Sequence, residues 1–130
     1  MTKVVVAAFD GLQMWQIDPS VMPNLHAFAA GGVRFEHHHP VVPSVTRLNA
    51  TSMVTGCLPG SHGIAGNRML FRDVWPDKIA DVLEPELRLI KQESGNRVLL
   101  RPTLAERLSR EGMEYAAVVS GTSGNAFCHT

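Results

Sequence analysis

The sequence predicts an α/β fold with a largely parallel sheet, and three observations carry that prediction. Two runs, "KVVVAAF" (3–9) and "EYAAVVS" (114–120), are apolar without alternation, the pattern of a strand buried on both faces. Segments with helix start and stop signals lie between them, in the order strand, helix, strand, helix, then helix and strand again. At 130 residues the chain matches the usual size of one domain.

Each element has a local reason. The first run stops at Asp10-Gly11, which would place a carboxylate at the carboxyl end of a strand, the edge where open α/β sheets bind ligands. In "DPSVMPNLHAFAAGG" Pro23 suits a first helical turn. Leu25, Phe28 and Ala29 fall at i, i+3, i+4, and Gly31-Gly32 ends the helix. "VRFEHHH" alternates like a short strand. Thr46 to Thr55 reads as a helix with Ala50, Met53, Val54 and Cys57 on one face and Gly56 as its stop. Residues 69–101 mix apolar and charged residues around two prolines and read as a surface excursion with short helices. In "PTLAERLSREG" Thr103 and Glu106 form a capping-box pattern, Leu104 and Leu108 share a face, and Gly112 ends the helix.

Composition narrows the partners. Twelve basic and twelve acidic side chains cancel, which gives no footprint for a nucleic-acid duplex or an anionic membrane. The first apolar run is too short to span a bilayer and lacks a secretory cleavage pattern, so a cytoplasmic location is the default expectation. Cys57 and Cys128 are expected as free thiols, since two cysteines make no disulfide framework.

The densest stretch is "HPVVPSVTRLNATSMVTGCLPGSHGIAGN" (39–67). Thr46 stands where extended chain becomes helix. Its plain role is N-cap; its chemical role would be a nucleophile beside free helical amides that hold an anion. A Thr hydroxyl needs activation, which a metal ion can provide. Asp10 offers a carboxylate ligand for a divalent ion, although Asp-Gly is also a common turn pair. Asn67 is either a turn residue or a donor to a phosphoryl oxygen. Asn49 is expected to bond to the first helical turn, and His62 to brace its own turn. His37, His38 and His39 alternate in direction along a strand and do not converge on one ion. "SGTSGN" (120–125) lacks the Walker lysine and reads as a plain loop.

"FDGL", "MPNLHAFAAGGVRF" and "PSVTRLNATSMVTGCLPGSHGIAGN", in that order, resemble the N-terminal part of the type I phosphodiesterase/nucleotide pyrophosphatase family of the alkaline phosphatase superfamily. The resemblance is continuous from about Val4 to Asn67 and looser from Thr103 to Asn125. It implies a doubly wound, alkaline-phosphatase-like sandwich with two zinc ions at the carboxyl ends of the strands. Asp10 then matches a metal ligand, Thr46 the nucleophile and a second ligand, and Asn67 a residue that holds the phosphoryl oxygen. The implied reaction is a two-step hydrolysis of phosphodiester or pyrophosphate bonds through a Thr-linked intermediate, on a small phosphodiester, nucleotide or phosphonate substrate.

Two departures qualify what the resemblance implies. "TRLNAT" lacks the aromatic and proline that follow the nucleophile in many nucleotide pyrophosphatases, and is also similar to phosphonoacetate hydrolases, which cleave a carbon–phosphorus bond. The family's remaining metal ligands lie C-terminal to the matched segment, and no D-x-x-x-H follows here. The expectation is therefore an N-terminal portion, residues 1–130, with an incomplete zinc site and no activity alone. A non-catalytic α/β interaction module is the reading outside enzymology.

Overall fold

Proline and glycine punctuation sets the helix boundaries. α1 (Pro23–Ala30) begins on its proline, and its last turn closes with Gly31 and Gly32 amides on Phe28 and Ala29 carbonyls. α2 (Thr46–Thr55) spans the predicted residues and ends at Gly56, whose φ of 66° is the left-handed conformation glycine tolerates. α3 (Pro59–His62) again starts on proline. These elements belong to a computed structural model that describes residues 3–95 and 97–129.

The chain divides into two compact units, Met1–His39 and Pro40–Thr130. The first holds an extended segment over 3–9, a turn at Asp10-Gly11, a 3₁₀ turn at Met14–Gln16, and α1. Most of its apolar side chains are exposed: Val5 is 88% accessible and Phe28 82%. The expected strands over 3–9 and 33–39 are absent from this unit. A strand apolar on both faces is stabilised by neighbouring strands and covering helices. No ladder pairs with either segment among the described residues, and α1 buries no side chain.

The second unit carries the buried core. β1 (Arg68–Leu70) pairs antiparallel with β2 (Ile79–Asp81), in the register Arg68 to Asp81, Met69 to Ala80 and Leu70 to Ile79. α4 (Glu84–Glu93) follows, then α5 (Leu104–Arg110) and α6 (Ser123–Cys128). Ile64, Ala80, Val82, Leu87, Ile90 and Val98 form the core, with Trp75 and Phe127 packed against it. Residues 69–101 are thus not a surface excursion. They supply most of the buried apolar residues, because Leu87 and Ile90 share the inner face of α4 and Pro85 begins that helix rather than breaking it.

The architecture is a small mixed α/β arrangement with one antiparallel pair among the described residues, not the expected largely parallel sheet. The run 114–120 lies outside any strand and Val118 is fully exposed. Parallel pairing is non-local, and a Val-rich run specifies a strand without specifying its partner.

Two contacts fix α6 on the core. The Ser123 hydroxyl accepts from the Glu84 amide at 3.2 Å, supplying the cap that Leu83 cannot. Gly124 lies so close to β2 that a Cβ there would sit 1.8 Å from the Val82 carbonyl oxygen. The segment expected as a plain loop, 120–125, therefore opens a helix whose glycine permits close packing. α5 follows its sequence signals in full. The Thr103 hydroxyl accepts from the Glu106 amide (3.1 Å) and the Glu106 carboxylate accepts from the Thr103 amide (2.7 Å). The Gly112 and Met113 amides close its end on Ser109 and Leu108.

Candidate functional site

Thr46 is the first residue of α2, and Val45 occupies the N-cap in extended conformation without a side-chain cap. The expected N-cap role therefore does not hold: helical φ/ψ begin one residue earlier than a capping threonine requires. The Thr46 side chain is exposed. The first intrahelical bond runs from the Asn49 amide to the Val45 carbonyl at 3.1 Å. Helix geometry thus leaves the Arg47 and Leu48 amides without intrahelical acceptors at the end where the macrodipole is positive. That end suits an anion.

Asn49 braces the approach to this helix. Its carboxamide oxygen accepts from the Val41 amide (3.0 Å), while its nitrogen donates to the Val45 carbonyl (3.1 Å). The expected bond to the first turn is present, and the bond to Val41 pins the preceding loop as well. Both bonds assign the amide orientation unambiguously, since the two backbone partners have opposite polarity.

Arg47 does what the sequence did not reveal. Its Nη1 donates to the Asn67 carbonyl at 3.0 Å and its Nε to the Thr122 hydroxyl at 3.2 Å. The residue after Thr46 thereby ties α2 to the corner before β1 and to the N-cap of α6. The Asn67 carbonyl also accepts from the Val82 amide at 2.9 Å, so its backbone is held from two sides. Its side chain is exposed. A guanidinium fork suits this bridging, since two of its donors serve separate acceptors at once.

Beneath Thr46 the buried face of α2 is Leu48, Thr51, Val54 and Thr55. This differs from the expected Ala50, Met53, Val54 and Cys57. The two threonines are buried because their hydroxyls bond the helix itself, Thr51 to the Arg47 carbonyl (2.8 Å) and Thr55 to the Thr51 carbonyl (2.7 Å). Cys128 is fully buried and Cys57 partly so, both as free thiols. Burial pushes the Cys128 thiol up, with the Thr51 hydroxyl and the Arg47 charge pulling the other way.

His62 is fully buried and braces its turn as expected. The Ile64 amide donates to its Nδ1 at 3.2 Å, which leaves the proton on Nε2, 2.9 Å from the Ser52 hydroxyl. In that tautomer the imidazole donates to Ser52 and cannot deprotonate it. The pair is structural. Burial lowers the His62 pKa.

Asp10 belongs to the first unit, and Thr46 and Asn67 belong to the second. Asp10 lies in the turn where the Leu12 amide bonds the Phe9 carbonyl at 3.4 Å, with Gly11 at φ 80°. His37, His38 and His39 are exposed. Among the described residues no three of His, Cys, Asp or Glu cluster as a metal-binding group.

The family model for type I phosphodiesterase / nucleotide pyrophosphatase matches residues 4–124. The chain belongs to this family. Among curated proteins, ectonucleotide pyrophosphatase/phosphodiesterase C27A7.3 of Caenorhabditis elegans is 31% identical over 73% of this chain and 14% of its own length. Bis(5'-adenosyl)-triphosphatase enpp4 of Xenopus laevis is 38% identical over 55% of the chain and 16% of its own length. Ectonucleotide pyrophosphatase/phosphodiesterase family member 3 of Bos taurus is 34% identical over 53% of the chain and 8% of its own length. The chain thus spans about a sixth or less of these relatives. No solved structure matches it significantly.

Proposed function

We propose that these 130 residues are the nucleophile-bearing N-terminal part of an alkaline-phosphatase-like catalytic domain, built in the complete enzyme as a largely parallel sandwich. Its reaction is hydrolysis of a small phosphodiester or nucleotide pyrophosphate through a Thr46-linked covalent intermediate. The observation that supports this most is positional: Thr46 is the first residue of α2, at its positive end, and its neighbour Arg47 holds the Asn67 corner.

In the proposed first step the Thr46 oxygen attacks phosphorus, the P–O bond to the leaving group breaks, that group departs with the hydroxyl proton, and a Thr46-linked phosphoryl ester forms that keeps the substrate's other substituent. Water then cleaves that ester and restores the hydroxyl. The Arg47 and Leu48 amides and the Asn67 side chain are the chain's own donors toward the phosphoryl oxygens. In the complete enzyme Asp10 and Thr46 are each proposed as metal ligands.

The described residues do not fit the two zinc ions that the family resemblance implies, since they contain no three-residue donor cluster. The 130 residues alone are proposed to be inactive. A phosphonate substrate is the second reading. It draws on Arg47 standing where an aromatic flanks the base in many nucleotide pyrophosphatases.

The test is hydrolysis of a nitrophenyl phosphodiester. In an intact enzyme carrying this segment, Thr46→Ala abolishes turnover with an unchanged circular dichroism spectrum; near-normal turnover overturns Thr46 as nucleophile. The isolated chain gives no zinc-dependent hydrolysis, and robust turnover by it overturns the incompleteness of the site.

A further inference from the structure

A second cationic feature lies within the Pro40–Thr130 unit and uses neither Thr46 nor Asn67. Lys91, Arg97, Arg101 and Arg110 line one groove of about 280 Å³. Four of the chain's twelve basic side chains thus border one small volume, in a protein with no net charge. None of the four is ion-paired to a carboxylate among the described residues.

Two nearby carboxylates carry other hydrogen bonds. Glu93 accepts from the Trp75 indole at 2.8 Å, and Glu106, the acidic residue of the groove wall, is held by the Thr103 amide. The backbone carrying the cations is fixed as well. Ser94 bonds the Arg97 amide and carbonyl (3.1 and 2.7 Å), and the Leu100 amide donates to the His62 carbonyl (3.1 Å). Beside the charges stands an apolar wall of Val98, Leu99 and Phe127, with the Lys91 ammonium 5.6 Å from the Phe127 ring centroid.

From this arrangement we infer that the groove binds the phosphoryl group of a small organophosphate, with its carbon body against the Val98–Leu99–Phe127 wall. Unpaired cations favour a dianion, and guanidinium groups suit phosphoryl oxygens. The apolar wall favours an ester over free phosphate. The inference stands independently of the Thr46 reading.

The experiment is titration of the ¹⁵N-labelled chain with phenylphosphonate, a dianion with an aromatic body and no phosphoester bond. Saturable amide shifts confined to 91–110 and residue 127 are expected, weakening as salt rises. Inorganic phosphate binds more weakly than phenylphosphonate. Arg101→Gln and Arg110→Gln, both at exposed positions, each weaken binding about three- to fivefold. Arg88→Gln, whose charge is paired with Glu84 outside the groove, leaves it unchanged. No saturable shift, or shifts indifferent to both arginine substitutions, overturns the inference. So does binding that survives those substitutions and disappears in Thr46→Ala, which would put the anion at α2.

Discussion

The Arg47 guanidinium donates to the Asn67 carbonyl at 3.0 Å, across twenty residues of sequence. The same side chain reaches Thr122 at 3.2 Å, so one residue in the first turn of α2 fastens two later segments. Bonds to a charged donor are stronger than neutral ones, and both are partly solvated here.

Arg47→Ala is therefore expected to destabilise the Pro40–Thr130 unit by about 1–2 kcal/mol. Urea unfolding followed by Trp75 fluorescence measures it. Arg47→Lys should recover less than half of the loss, because an ammonium has no planar fork to span both acceptors. Full recovery by lysine would show that charge alone matters.

Gly124→Ala should cost about 1–3 kcal/mol, since a Cβ 1.8 Å from the Val82 carbonyl oxygen forces α6 away from β2. Gly60→Ala provides the contrast. It has nothing within 4 Å of its Cβ position and should be close to neutral. Thermal unfolding of the two variants side by side distinguishes the effects.

His62 gives stability a pH dependence. Burial lowers its pKa below the ordinary 6.5, so the folded state favours the neutral ring and the unfolded chain binds the proton more readily. Its contribution is whole above about pH 6.5 and is lost as pH falls toward the depressed folded value. His129, whose Nδ1 lies 3.0 Å from the Tyr115 hydroxyl and whose pKa burial also lowers, acts in the same direction. Urea midpoints should fall between pH 7.5 and 5.5, less steeply in His62→Gln. An identical slope in that variant would remove His62 from the account.

The two thiols should differ in reactivity. Burial covers Cys128 completely and pushes its thiol pKa up, which suppresses the reactive thiolate, whereas Cys57 is partly exposed. Iodoacetamide at pH 8 should label Cys57 first, as peptide mass spectrometry would show. In urea the preference should vanish.

Helix boundaries were legible in the sequence because their signals are local. Pro23 and Gly31 bound α1, Gly56 stops α2, and the Thr103–Glu106 box opens α5. The strands were not. "KVVVAAF" and "EYAAVVS" carry strand propensity, but pairing depends on a distant partner that neither run identifies. α4 was hidden because Pro85 reads equally as a break or a start, and α6 because Ser123-Gly124 resembles a loop until Gly124 meets Val82.

At the candidate site, the helix that Thr46 opens and the turn before Asn67 were legible from residue types alone. The inward face of α2 was not, since a threonine counts as polar until its hydroxyl is seen bonded to the preceding turn. Nor was the Arg47 bridge, whose partners lie 20 and 75 residues downstream. Such a partner leaves no trace in local spacing.

The Ser123 cap on α4 has a consequence for how the chain is made. Glu84 leaves the ribosome 39 residues before the hydroxyl that satisfies its amide, and Val82 well before the glycine that seals it. During synthesis the nascent hairpin and α4 must wait without Phe127 against the core of Val82 and Leu87, a window in which a holdase chaperone would find its sticky target. Closure comes only when the Thr122–Cys128 segment emerges and settles into place.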